Sequence, residues 1–375
     1  MNNFCQPQAG NPVKRDYSLV GPDGHMAVAN GLAAAEWYHT DVPRQKMKDL
    51  MRRTDGPALR DTAVWVALLV LFAGGAVALW GSWWCVPFFL AYGVLYGSSS
   101  DSRWHECGHG TAFKTRWLND VIYQIASFMI MREPTIWRWS HARHHTDTII
   151  VGRDPEIAVM RPPDLLLLIL NILAVRSTFR ALRLILLHAC GRLTDDEKTF
   201  VPEMEHRKVF IVARIWLVIH VSVAALSLYL GSWLPVMLIG VLPTMYGGWL
   251  ALYFGVTQHA GLAEDVLDHR LNSRTVYMNP VFRFIYWNMN YHVEHHMFPM
   301  VPYHALPRLH QLLLPDMPKP YASTIEAYRE IIPALLRQLK EPAWHVERKL
   351  PAGAKPYRPE FHGQVLPISG GGSLS

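Results

Sequence analysis

Four long apolar stretches constrain this chain more than any other feature. Residues 62–80 and 83–100 supply 19 and 18 consecutive uncharged positions, against about 20 needed for a helix to cross the hydrocarbon of a bilayer. Residues 209–230 and 233–257 form a second pair, in which Arg214 and His220 are the only basic side chains. Two residues separate the members of each pair, Gly81-Ser82 and Gly231-Ser232. The spacing therefore predicts four transmembrane helices in two hairpins. Charged residues make up 18% of the chain, below the ~25% of soluble domains.

The connections predict an orientation, because Lys and Arg accumulate on the cytoplasmic side of short loops. Residues 1–60 carry 8 basic residues and residues 101–208 carry 15, whereas the two tight turns carry none. Both termini and the long central segment are expected in the cytoplasm. The first thirty residues lack the apolar core of a secretory signal. The stretch 164–187 is apolar only until Arg176, Arg180 and Arg183 recur at helical spacing, so it reads as an interfacial helix, with a fifth span as the competing reading. Trp65, Trp80, Trp83, Trp84, Trp233 and Trp249 fall near the ends of the expected spans and read as aromatic belts. The chain divides into a cytoplasmic N-terminal segment 1–54, a membrane domain 55–315, and a C-terminal part 316–375. That last part contains an amphipathic helix at 324–339, interrupted by Pro333, and a Gly/Ser-rich tail.

Composition excludes several classes. The net charge of +6 is spread too thinly for a nucleic-acid reader and suits a membrane surface. The 4 cysteines, Cys5, Cys85, Cys107 and Cys190, contain no CxxC pair, which argues against a disulfide framework or a cysteine-built metal site. Histidine, by contrast, numbers 19.

Nine of these histidines fall in four places beside the apolar stretches. DSRWHECGHG holds His105 and His109, WSHARHHTD holds His141, His144 and His145, QHAGL holds His259, and NYHVEHHMFP holds His292, His295 and His296. Residues four apart leave the same face of a helix, and so do residues at i, i+3 and i+4 of each HxxHH. A neutral imidazole offers one lone pair to zinc, copper, iron or nickel. Tetrahedral zinc takes about four ligands, so nine imidazoles exceed one zinc and match two metal ions. Two adjacent irons are the natural pair, since they bind O2 and yield an oxidant able to attack an unactivated C–H bond. Each ring's second nitrogen needs an acceptor, for which Glu106, Asp147, Asp154, Glu156 and Glu294 are candidates. His304 and His310 lie close enough in sequence to support the last cluster. The remaining histidines, His269 among them, read as packing or solvated residues, and His220 reads as an interhelical hydrogen-bonding group.

These motifs resemble the membrane fatty acid desaturase and hydroxylase superfamily, whose pattern of HxxxH, HxxHH and HxxHH is matched by His105 to His109, His141 to His145 and His292 to His296, over roughly residues 55–313. The resemblance implies an all-α membrane protein with a cytoplasmic helical cap holding two irons, the nine histidines as ligands, O2 as co-substrate, and His259 as the ligand after the last span. Animal acyl-CoA desaturases carry an Asn one turn before that histidine to hold a water; Gly255 stands here instead, so that water is not expected. HARHHTDTIIVGRDPEI and GHGTAFKTRWLND look most like the bacterial branch that contains dihydrorhizobitoxine desaturase, which implies an inner-membrane location and a substrate that is either an acyl chain or an amino-acid-derived ether. Hydroxylation is the alternative outcome on the same site. The sequence shows no HPGG haem motif, no paired CxxC and no GxGxxG fold, so a separate ferredoxin, rubredoxin or cytochrome b5-type donor, with its reductase, is implied.

Two readings of other classes compete. His105-Glu106-Cys107-Gly108-His109 is an HExxH string, in which a zinc peptidase uses two histidines as ligands and the glutamate as base; that reading leaves the other clusters without a role. A metal transporter or haem carrier would place ionisable groups inside the spans, where only Arg214 and His220 occur.

Overall fold

The computed structural model describes residues 15–355, so the Gly/Ser-rich tail, Cys5 and His362 lie outside the described residues. Among those described, every named element is helical, and the only β pairings are the isolated bridges Thr275–Tyr291 and Val276–Tyr321. Two helices, Gly56–Ala78 and Glu203–Leu230, are long and apolar enough to cross a membrane. Their 23 and 28 residues exceed the roughly 20 required. They coincide with the first and third predicted spans. Gly81 and Gly231 turn the chain after them with φ of 88° and 59°, a conformation open to glycine at no steric cost.

The second predicted span is helical but not uniform. Cys85–Gly93 passes into a π-helical turn, Val94–Ser98, and then into Ser99–Gly108. The widened turn frees the Leu95 carbonyl, which accepts the Trp65 indole N–H at 2.9 Å. Trp65 is therefore buried, at 1% exposure, and does not belong to an aromatic belt. The other five tryptophans of the expected belts are exposed.

The fourth predicted span is not one helix. It is broken into Leu234–Leu238, Val241–Gly247 and Trp249–His259. Pro235 and Pro243 cannot donate to a helical ladder, and Gly240 adopts φ 91°, ψ −124°. A break in an apolar segment needs partners for the freed backbone groups, and tyrosines supply them. Tyr92 donates to the Leu238 carbonyl at 2.6 Å, Tyr246 donates to Met237 at 2.7 Å, and the Gly240 N–H donates to the Tyr96 hydroxyl at 2.9 Å.

The stretch expected as one interfacial helix forms two, Leu165–Ile172 and Val175–Ala189, bent by 82°. Ala174, at φ 49°, reverses the path. Counted as a single span, this pair would be a third crossing. Pro333 does not interrupt the C-terminal helix, which runs continuously over Thr324–Gln338 and buries Ala327, Ile331 and Ala334 on one face.

The broken segment packs tightly against the π turn. A Cβ on Gly247 would stand 1.8 Å from the Gly93 carbonyl oxygen, and one on Gly97 would stand 2.8 Å from the Gly247 carbonyl carbon. Ser98 locks the crossing by donating to the Gly247 carbonyl and accepting from the Ala251 N–H. Small residues allow such backbone contact between membrane helices. Gly247→Ala is accordingly expected to cost about 1–3 kcal/mol through overpacking, read as a lower thermal midpoint in detergent. Gly74→Ala, inside a helix and with nothing within 4 Å of the new carbon, is expected not to lower the midpoint.

Candidate metal centre

The first helical hairpin leads directly into the first pair of histidines. His105 lies on Ser99–Gly108 and His109 caps that helix. His141, His144 and His145 lie on Pro134–Thr146, whose start is capped by the Glu133 carboxylate accepting from the Ile136 N–H. His259 ends the last piece of the broken segment, and His292, His295 and His296 lie on the short helix His292–Met297.

The nine histidines gather into two groups in which the potential ligand nitrogens all lie within 4.8 Å of one another: His105, His109, His141, His145 and His295 in one, and His144, His259, His292 and His296 in the other. Each HxxHH box is divided. The i, i+4 pair of a box joins one group and its middle histidine joins the other, so the two boxes exchange His144 and His295. The Nε2 atom of His141 stands 3.1 Å from those of His109 and His145, and the Nε2 atoms of His292 and His259 are 2.9 Å apart.

Burial sets the protonation. It pushes His105, His141, His145, His292, His295 and His296 well below the ordinary histidine value, with positive neighbours adding to the effect. Burial also brings His109 and His259 down to about 3. His144 is the exception: burial pushes it down, but the Asp154 carboxylate outweighs that and raises it. Convergent neutral lone pairs with no donor between them suit cations that prefer imidazole, and the donor set fits a pair of transition-metal ions.

Several rings are oriented from behind. His141 Nδ1 donates to Glu156 and His144 Nδ1 donates to Asp154, both at 2.8 Å, and His259 Nδ1 donates to the Asn272 carbonyl at 2.7 Å. The Thr148 hydroxyl stands 3.3 Å from His296 Nδ1. Of the five acidic partners expected from the sequence, Asp154 and Glu156 take that position. Asp147 instead pairs with Arg153 at 2.9 Å. Glu294 accepts from the Thr275 hydroxyl at 2.6 Å and from His310, whose other nitrogen meets Tyr277 at 2.9 Å.

Glu106 accepts from the Thr111 hydroxyl and the Tyr303 N–H, each at 3.1 Å, and its other oxygen lies 3.8 Å from His295 Nδ1. Burial raises it to about 8. A peptidase base would face a metal-bound water, whereas this carboxylate is tied to the protein behind the ring. Five histidines share its group, more than the two of an HExxH zinc site.

Sequence spacing missed His269. Its ring is 1% exposed, lies parallel to Trp37 with centroids 4.3 Å apart, and stands 5.0 Å from His296. Nothing in its neighbours' spacing marks it. His220 makes no interhelical hydrogen bond through Nε2 and stacks on Phe128 at 5.2 Å. His304 is packed beside Tyr303.

One cavity, of about 110 Å³, reaches both groups through His105, His141, His144, His259 and His292. Trp104, Trp137, Ile157, Val256 and Met289 supply apolar walls, and Gly255 also lines it. Polar pairs complete the wall: Gln258 donates to the Tyr286 hydroxyl at 2.6 Å, and Arg132 meets Asp101 at 3.1 Å.

Known proteins are similar to this chain in sequence. The chain is 26% identical over 251 residues to the Delta(5) fatty acid desaturase fat-4 of Caenorhabditis elegans, covering 58% of this chain and 56% of that protein. It is 26% identical over 268 residues to a probable fatty acid desaturase of Sorghum bicolor, covering 66% and 67%. It is 24% identical over 251 residues to the acyl-lipid omega-3 desaturase (cytochrome b5), endoplasmic reticulum, of Arabidopsis thaliana, covering 60% and 62%. The family model described as "Fatty acid desaturase" matches residues 81–328, a span that contains all nine histidines of the two groups. With that match extending over most of its length, the chain belongs to the fatty acid desaturase family.

Proposed function

We propose that this integral membrane protein is an O2-dependent desaturase that removes two hydrogens from neighbouring carbons of an acyl chain. The observation that carries the reading is a single cavity in contact with two convergent groups of histidine. Two irons held there, by five and four imidazoles, would supply O2 reduction and the oxidising equivalents for breaking two C–H bonds. The chain's own residues do the rest. Glu156, Asp154, the Asn272 carbonyl and Thr148 hold the rings with Nε2 inward. The aromatic and aliphatic walls exclude water and hold the methylenes. The Gln258–Tyr286 and Asp101–Arg132 pairs meet the more polar part of the substrate.

The same reading makes the nine histidines the ligand set and gives the membrane domain the bounds 55–315. It has the chain cross the bilayer four times, with 83–100 and the broken 233–257 as the second and fourth crossings. On this reading the histidine groups and both termini lie on the cytoplasmic side, in keeping with the basic connections. Electrons come from a separate carrier and its reductase; the cytochrome b5 named for the Arabidopsis relative supports that class.

Expression in a host lacking the protein tests the reaction. An acyl lipid lighter by two hydrogens is expected. A product heavier by one oxygen would replace desaturation by hydroxylation, and a vinyl ether amino acid in place of an altered lipid would move the substrate to the amino-acid-derived class.

The groups behind the rings are part of the same reading. Removing a carboxylate that orients a ligand histidine typically weakens metal binding by about 10–100-fold. Asp154 also accepts from the Ile149 N–H at 2.7 Å. Asp154→Ala is expected to weaken or remove one of two Co2+ binding steps in an absorbance titration. Two unchanged steps would show that Asp154 does not support the four-histidine group.

A further inference from the structure

We infer that the groove between the Arg44–Leu50 helix and Phe298 docks a small acidic one-electron carrier protein, and that the rings of Trp37 and His269 lead its electrons to the four-histidine group. The inference rests on the desaturase reading and identifies that enzyme's redox partner surface. Its balance requires such a partner. Converting CH2–CH2 into CH=CH with reduction of O2 to two waters consumes two electrons and two protons beyond the two hydrogens taken from the substrate. Two reduced carriers are each oxidised once.

The surface has the chemistry for this role. Arg44, Lys46, Lys48, Arg52 and Arg53 crowd one short stretch, opposed only by Asp41 and Asp49. Arg44, Lys46, Lys48 and Arg52 are exposed, and among the described residues none of the five makes an ion pair within 4 Å. Beside them an open groove of about 620 Å³ is lined by His39, Val42, Met47, Met51 and Phe298. A basic rim around an apolar floor fits an acidic protein whose cofactor edge is apolar.

The groove is also close to the metal centre. Phe298 follows His296 by two residues, and the Thr40 hydroxyl lies 3.8 Å from Met297 Sδ. Trp37 precedes His39 by two residues; its indole N–H donates to the Thr146 carbonyl at 2.9 Å, which holds the ring in place. It lies 6° from coplanar with His269 at 4.3 Å, and His269 lies 5.0 Å from His296. A buried histidine whose Nδ1 has no partner is costly as packing alone. A stacked ring between the groove and a ligand gives it a role.

The test uses full-length, iron-loaded protein in phosphatidylcholine nanodiscs, with the soluble haem domain of a cytochrome b5 as the carrier. Binding, carrier oxidation and product formation are measured, and product formation is repeated with dithionite-reduced methyl viologen, which needs no docking. Lys46→Glu with Lys48→Glu is expected to raise the carrier Kd and KM by roughly tenfold or more, as high salt should for the wild type. Trp37→Leu is expected to leave Kd unchanged and lower the ratio of carrier-driven to viologen-driven turnover by a similar factor. Trp37→Phe should recover part of that ratio. An unchanged Kd in the charge-reversed protein overturns the docking site and leaves the basic segment to anionic lipid headgroups. An unchanged ratio in Trp37→Leu overturns the ring route. If iron-loaded wild type makes no product even with methyl viologen, the desaturase reading fails instead.

Discussion

The structure depends on holding nine buried imidazoles, eight of them pushed below the ordinary histidine value, with their ring nitrogens pointing at one another. Such an arrangement is repulsive on its own, and burial, which pushes His109 and His259 down, opposes its relief by protonation. It persists because every ring comes from a helix or helix end that is fixed elsewhere. The i, i+4 pairs place two rings on one face without any long-range contact. The remaining rings come from the opposite box and from the end of the broken segment, so the two groups form only when the helices are docked. Carboxylates, a carbonyl and a hydroxyl behind the rings then select which nitrogen faces inward.

The membrane part is shaped by the same demand. A straight fourth helix would have no reason to approach the π turn so closely. Breaking it at Gly240 and pressing Gly247 against Gly93 brings its last piece, with His259, towards the cavity. Tyr92, Tyr96 and Tyr246 satisfy the backbone released by the break. Upstream, the π turn lets Trp65 reach the Leu95 carbonyl and continues into the helix that carries His105. Arg103, fully buried two residues earlier, is enclosed by Trp65, Phe284 and Trp287 at 4.8–5.1 Å. It ties this helix to the segment leading into His292. The irregular helices are thus connected residue by residue to the positions of the ligand candidates.

Local periodicity made part of this legible in the sequence. The helices at 56–78 and 203–230 follow from the apolar runs at 62–80 and 209–230, and the nine histidines follow from spacings of three and four beside the apolar stretches. Pairing across the fold was hidden. Each HxxHH box was expected to converge on one side, yet His144 and His295 cross to the opposite groups, a choice made by how two helices face each other. The break in 233–257 was written in Pro235, Gly240 and Pro243, but hydropathy averages over them. Trp65 sits in a span like any belt tryptophan, and only the freed Leu95 carbonyl explains its burial. His269 has no partner at helical spacing; its place beside Trp37 and His296 depends on a contact more than two hundred residues apart in sequence, which no local pattern records.

On the proposed reading, the two histidine groups hold two irons in unlike surroundings, by five imidazoles and by four. Mössbauer spectroscopy of the reduced protein loaded with 57Fe tests it directly. The account predicts two quadrupole doublets of equal area, one for the five-imidazole site and one for the four-imidazole site. A single iron environment at one ion per chain, or stoichiometric zinc with no iron bound, would contradict it.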